Sequence, residues 1–540
     1  MKKKVVSLML VAAMAASMAA CGGSSNSGST ASTGNSTSTS TEAEAEGGEE
    51  GGAEVDASAA QAAIDERIAN GGSTVVCAFL NFVGPPAGLD RINQCLNEIT
   101  EPELGITTDL MIMDFASYGQ NMNLMLASGE QMDIFSIVGV GFMASYNKGY
   151  LYDMYEDDLI QTYGQDILAA WPEEAIKACE VAGGLYGTPV KKDDAGGLFG
   201  ISIPSEYLDT IGVDYNSMYE NPDDEIIFTD FDFLDDVLAK LHEAYPDKTT
   251  FYMDPSSIIG QCLPIDSVGG DNFGVLCDLD SYEITNLFED QMYYDLCQKM
   301  YEYNQLGYIS KDAMTTTDAT TTQIASGTLC AYKTATKPGI RMQETGLCKT
   351  PVVIFQLGIT RKTSSCYNSM PWCMNAQTED PVAAMQLLNA FYGDERLSTI
   401  LCWGQEGVEY VKNDDGSITF PEGLAADQSE YYNNTNWCLP NQFIAPVWEG
   451  NALDLWEKME KWNNEAKSPV SLGFTFDNSD VANEFTALTN VYNEYHKQLE
   501  LGFVDPAVGI PEMVEKLKAA GLDKYMAAKQ AALNEWAGIE

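Results

Sequence analysis

Residues 73–82 (STVVCAFLNF) open an alternation that leaves this chain few folds to choose from. The run is β-branched and apolar, the pattern of a strand, and Leu89, Ile92, Leu96 and Ile99 follow it at helical spacing. Residues 108–115 (TDLMIMDF) predict a second strand, Met122, Met125 and Leu126 a second helical face, and residues 133–138 (DIFSIV) a third strand running into Gly139 and Gly141. Strand and helix in strict succession imply right-handed crossovers, a mainly parallel sheet and the α/β class. In such sheets ligands collect beyond the carboxyl ends of the strands. That rule points to Asn81, Phe82, Asp114, Phe115, Tyr118 and the turn at Gly139.

A second α/β region starts near Leu185, where Gly183 to Val190 form an extended crossing segment. Helices are predicted over 231–244 and 291–306, with a loop at 267–272 between them and a strand at 328–332. Asp380 and Pro381 make an N-cap and first-turn pair for a helix through Tyr392. Asn413 to Gly416 separate two short extended runs, a hairpin signal. The last hundred or so residues read as mostly helical.

Charge narrows the partners. The formal net charge is −51, and such a surface repels nucleic acid and anionic lipid. Lys191-Lys192 and Arg361-Lys362 stand out as positive pairs, expected either exposed near domain crossings or recognising a carboxylate. Asp230, Asp232, Asp235 and Asp236 lack the spacing and glycine of an EF-hand, so they read as a solvated helix start, and no metal or cofactor site is expected. Of the 13 cysteines, those after Cys21 show neither C-x-x-C nor Cys/His zinc spacing. Disulfides, with Cys366 and Cys373 as the nearest pair, and buried free thiols both remain open. Only two histidines occur, His242 and His496, and no zinc-protease or serine-elbow motif accompanies them. A glycosidase needing only two carboxylates stays as the enzymatic alternative.

The first residues, MKKKVVSLMLVAAMAASMAAC, have a basic start, an apolar run and small residues before Cys21. They resemble the signal and lipobox of bacterial lipoproteins, with Met18 where leucine is usual. The resemblance implies cleavage before Cys21, its acylation (palmitate among the acyl groups) and tethering at the outer face of the cytoplasmic membrane. Residues 22–72 combine an acidic Ser/Gly linker, expected disordered to about residue 56, with a short helix.

Four further stretches resemble the family 1 solute-binding lipoproteins of carbohydrate ABC importers. They are Asp114 to Tyr118 followed by Leu126 to Asp133, Gly184 to Pro189, Gln323 to Thr328, and Leu401 to Tyr410 within 381–410. The resemblance implies a two-lobed, type II periplasmic-binding-protein-like fold with discontinuous lobes, a hinge and a helical C-terminal region. The lobes are expected at 73–188 with 314–367, and at 189–313 with 368–540. It further implies a monomer that captures a carbohydrate, an oligosaccharide above all, and delivers it to ABC permease subunits without turning it over. A peptide or another polar solute is the alternative ligand.

Sugar binding needs flat apolar surfaces for pyranose faces and planar polar groups for hydroxyls. The candidates are Asn81, Phe82, Asp114, Tyr118, Asp271, Trp372, Trp403, Glu406, Trp437 and Asn441. The same aromatics serve equally as core, a reading that stays open residue by residue.

Overall fold

The computed structural model describes residues 57–539 apart from 83, 222–223, 317 and 434; Cys21, the leader and the linker expected over 22–56 lie outside the described residues. The principal strands are β1 (Ser73–Asn81), β2 (Ile106–Asp114), β3 (Ile134–Ser136), β4 (Gly196–Pro204), β5 (Ile226–Phe228), β6 (Thr249–Tyr252), β7 (Leu329–Thr336), β8 (Val352–Gln356), β9 (Thr360–Arg361) and β10 (Trp372–Met374). The chain forms two compact units, crossing after Lys192, Ser369 and Leu455. The first holds the described residues up to Lys192 and Met370–Leu455; the second holds Asp193–Ser369 and the residues from Trp456.

In the first unit the sheet order is β10-β3-β1-β2. β1 runs parallel to β2 from Ser73↔Ile106 to Asn81↔Asp114 and parallel to β3 at Cys77↔Ile134. Its apolar run is buried on both faces, as a central parallel strand requires. β2 lies at the sheet edge, and the helix Leu89–Leu104 covers it. Asn97 Oδ1 accepts from the Thr108 amide (2.6 Å) and Asn93 Oδ1 from the Leu110 amide (2.8 Å), while both side-chain amides donate to the carbonyls of the same two residues. Two asparagines one helical turn apart thus occupy an edge that would otherwise invite another strand. The helix Phe115–Ser128 starts where β2 ends, with the Asp114 carboxylate accepting from the Ala116 amide. β10 closes the other side, antiparallel to β3 with Trp372 opposite Ser136.

The second unit is built on a mixed sheet in the order β5-β8-β4-β7-β6, with β9 also pairing to β4. This corrects the expected partition, which assigned residues 314–367 to the lobe of 73–188. β7 lies between β4 (antiparallel, Ile201↔Lys333) and β6 (parallel, Thr249↔Leu329), and β8 pairs with β4 through Phe355↔Ile201. Their buried side chains share one core with Phe199, Ile203 and Phe251, so the segment belongs wholly to the second unit. No crossing occurs near Ala313, while the one after Leu455 was absent from the expectation. The sequence pattern marks strands but does not encode which strand each will pair with.

Three helices, Ala482–Glu500, Pro506–Ala519 and Leu522–Ala537, complete this unit. Leu488, Leu499, Met513, Leu517 and Tyr525 enter the same core as Tyr293 and Met300. Gly502 takes φ 71° just after the first of them, where any Cβ would strike the Met300 carbonyl. The last helix is tied to the loop at 267–274 by Lys529. Fully buried, Lys529 donates to Asp271 Oδ1 (2.9 Å) and to the Gly274 carbonyl (3.0 Å), and Tyr525 donates to Asp271 Oδ2 (2.7 Å). Burial pulls the Lys529 pKa down, and Asp271 opposes it. Asp271, expected to meet ligand, is therefore consumed inside the second unit. The reason is electrostatic: a buried ammonium requires a carboxylate beside it. Asp271→Ala, which strands that charge, is expected to cost about 3–5 kcal/mol in a urea melt. A loss of about 0.5 kcal/mol or less would show that Lys529 is satisfied by carbonyls alone.

Candidate functional site

β1 and β2 end in register, so Asn81, Phe82, Asp114 and Phe115 emerge side by side. The Phe82 and Phe115 ring centroids are 4.6 Å apart, and Trp437 stacks on Phe82 at 6.3 Å. Asn81 Nδ2 donates to the Tyr432 carbonyl (3.0 Å) and Thr435 Oγ1 to the Leu80 carbonyl (2.9 Å), which fixes the 432–437 loop onto the end of β1. Trp437 Nε1 has no acceptor among the described residues.

A second aromatic group continues from this loop. Tyr432 lies 6.5 Å from Phe420, Phe420 lies 4.5 Å from Trp448, and Trp448 lies 5.4 Å from Trp403, centroid to centroid. The short hairpin expected at Asn413–Gly416 is present, pairing 411–412 with 418–419, and explains this placement. Ile418 donates to the Val447 carbonyl and accepts from Glu449, which puts Phe420 beside Trp448. Trp403 ends the helix Glu395–Trp403 and donates from Nε1 to the Pro446 carbonyl (2.7 Å). All seven rings (Phe82, Phe115, Trp403, Phe420, Tyr432, Trp437, Trp448) are half-buried. The first group lies at the carboxyl ends of β1 and β2 and the second around the hairpin, and the two, linked by the loop that carries Tyr432 and Trp437, make an aromatic ledge on the first unit.

Several expected site residues are placed elsewhere, and each displacement has a physical cause. Tyr118 is 1% exposed, because its hydroxyl donates to the Ser136 carbonyl (2.7 Å) beneath the sheet. Burial drives its pKa far up. Trp372 is 0% exposed within β10, stacked on Phe79 and donating to the Cys438 carbonyl (2.7 Å). Asn441 is buried, its amide donating to the Tyr392 carbonyl and its oxygen accepting from Phe443. Asn81 is buried as well and acts by holding the loop. These four support the ledge rather than form its surface. Phe82, Asp114, Trp403 and Trp437 reach it half-exposed, and Glu406 is exposed, paired with Lys412 at 3.1 Å.

The structure adds Phe420, Tyr432 and Trp448 to the ledge. Their signal was the aromatic density of 420–448, uninterpretable without the hairpin that folds it. It also shows that Glu409, three residues past Glu406, bears the structural charge. Buried, it takes both Arg91 nitrogens (2.7 and 2.6 Å) and the Gln405 amide (3.0 Å). Gly404, at φ 82°, leaves room for that carboxylate, since a Cβ there would meet Glu409 Cγ at 2.9 Å. Neither positive pair of the sequence lies exposed. Lys191 donates to the Ala170 carbonyl over the Trp171 ring, Lys192 is buried, Arg361 donates to the Gly260 carbonyl, and Lys362 donates to Tyr367. Asp230 caps the helix Phe231–Ala244, Asp235 meets Lys299 and Asp236 meets Lys240. The twelve described cysteines are free thiols, and burial pushes those of Cys262 and Cys402 up to about 12.

With the geometry of this α/β unit in place, comparison with known proteins gives the family. Residues 97–401 match the model described as bacterial extracellular solute-binding protein, and the chain belongs to that family. Residues 470–538, the C-terminal helices, match a domain of unknown function (DUF3502). A carbohydrate ABC transporter substrate-binding protein of Streptococcus pneumoniae is 23% identical over 466 residues, covering 84% of this chain and 89% of that protein. Among solved structures, the N-glycan transport solute binding protein NgtS of S. pneumoniae aligns with a TM-score of 0.75 at 22% identity, over 86% of this chain and 99% of NgtS. Its complex with Man5GlcNAc aligns with a TM-score of 0.60 at 21% identity, covering 86% of this chain and 98% of that one. The alginate-binding protein AlgQ2 aligns with a TM-score of 0.53 at 15% identity, covering 86% of this chain and 99% of that one. At these identities the structural likenesses establish the fold.

Glu409 and Glu406 separate support from surface. Glu409→Ala, which breaks a buried bidentate pair, is expected to cost about 3 kcal/mol. Glu406→Ala removes an exposed pair and is expected to shift stability by no more than about 0.5 kcal/mol. Denaturant melts of the two variants check the contrast, and equal losses would contradict it.

Proposed function

We propose that this protein is a lipid-anchored receptor that captures an oligosaccharide on the aromatic ledge of its first unit and passes it, chemically unchanged, to an ABC permease. The observation that carries the reading is the seven half-buried rings in two groups, one at the ends of β1 and β2 and one around the adjoining hairpin. Pyranose rings present flat C–H faces, and their burial against Phe, Tyr and Trp is favourable through apolar contact. Asp114 and Glu406 supply acceptors for hydroxyls, and the Trp437 Nε1–H supplies a donor. Two groups of rings, joined through the 432–437 loop, suit a ligand longer than one sugar. The names of the relatives support a carbohydrate, and the family supports capture for import.

Trp403→Ala and Trp437→Ala are each expected to weaken oligosaccharide binding about thirtyfold, the equivalent of about 2 kcal/mol for an aromatic anchor. Calorimetric titration against a glycan panel measures this, with a denaturant melt alongside. Unchanged affinity in a folded variant removes that ring from the site. Chromatography of overnight mixtures is expected to return the glycans intact. New products would instead support a glycoside hydrolase.

The basic leader, the small residues before Cys21 and the acidic linker support the anchor. Cys21→Ser is expected to move the protein from the membrane fraction to the soluble fraction of expressing cells. Retention equal to wild type would count against the tether.

A further inference from the structure

The ledge is strongly acidic. The segments that build it, 81–91, 114–115 and 403–449, contain ten carboxylates and only two cations, Arg91 and Lys412. Both cations are already engaged. Arg91 is held by Glu409 and by Glu430 (3.2 Å), and Lys412 by Glu406. The bond to Glu409 leads the causes that raise the Arg91 pKa, so this guanidinium is charged and committed. The bias extends across the first unit, where residues 57–192 and 370–455 hold 31 carboxylates against eight Lys and Arg. Of those eight, Arg67, Arg91, Lys177, Arg396 and Lys412 pair with carboxylates. Lys148 donates to Asn123, Lys191 to a backbone carbonyl, and Lys192 is buried.

Resting on the reading of the ledge as the glycan site, we propose that its ligand is an uncharged oligosaccharide and that glycans bearing uronate, sialate, sulfate or phosphate groups are excluded by charge. A carboxylate brought to this ledge meets segments in which ten carboxylates stand against two cations, with Arg91 held by Glu409 and Lys412 paired with Glu406, so the net charge it approaches is negative. Hydroxyl groups meet the same carboxylates as hydrogen-bond donors and are favoured by them. One surface therefore attracts neutral sugars and rejects acidic ones, which is specificity by a repulsive element. The Coulomb term between like charges several ångströms apart at a protein surface, reduced by screening, amounts to roughly tenfold or more in affinity.

The test uses the full chain and matched oligosaccharide pairs that differ in their acidic groups. Suitable pairs are asialo and sialylated biantennary glycans, xylotetraose with and without a glucuronate branch, and galactose and galacturonate oligomers. The neutral member of a binding pair is expected to bind about tenfold or more tightly in dilute buffer. The gap is expected to narrow as salt rises to about 1 M, where charges are screened within about 3 Å. An acidic member that binds equally or more tightly overturns the charge selection while leaving the glycan reading intact. A gap that salt does not change also overturns it, assigning the discrimination to shape. If no oligosaccharide of either charge binds, the glycan reading itself fails, and the inference with it.

Discussion

The first unit depends on a pairing between stretches of chain that are remote in sequence. β10 is only three residues long, yet it lies antiparallel on β3, and Asn375 Nδ2 beside it donates to the Met132 carbonyl, 243 residues away. Thr188 and Trp372 exchange backbone hydrogen bonds on its other side. Closing so long a loop is entropically costly, although that cost grows only slowly with length. Burial of Trp372 between Phe79, Phe391 and the 438 carbonyl offsets it. This strand, together with the Asn81, Thr435 and Arg91 bonds, fixes segment 370–455 against β1 and β2.

The ledge shows how buried polar groups hold a surface that is itself apolar. Asn81 and Thr435 bond the 432–437 loop to β1, and Ser398 and Asn441 tie the 441–445 turn to its helices. Arg91 and Glu409 clamp the turn after Trp403. Each of the groups just named is paired, and an unpaired one in such a place would cost about 1–3 kcal/mol. The rings are therefore held on a frame of paired polar groups.

Acidity acts at two levels in this chain. Inside the second unit, carboxylates are structural: Asp271 neutralises Lys529, and the fully buried Glu500 accepts from Tyr293 and Tyr492. On the first unit's surface the carboxylates outnumber the cations, and the cations are spent on pairs. The acidic excess of the chain thus also sets the electrostatic character of the ledge.

Much of the secondary structure was legible in the sequence. The helix over 89–104 follows from apolar spacing and that over 231–244 from its acidic start, and the β1-β2-β3 core follows from alternation with the helices between its strands. Placing Asn81, Phe82 and Asp114 at strand ends required only the α/β rule. Local pattern could not say that 329–336 pairs with 196–204 rather than with the first sheet, because a strand's apolar residues fit any compatible edge. Nor could it tell Trp372 from Trp403, two tryptophans each next to a cysteine, of which one lies at 0% exposure inside a sheet and the other half-exposed at a helix end. Sequence by itself determined the α/β class, the elements and the chemistry available. Tertiary structure alone decided which rings became surface and which carboxylates became counter-ions, because burial and charge pairing are properties of neighbours distant in the chain.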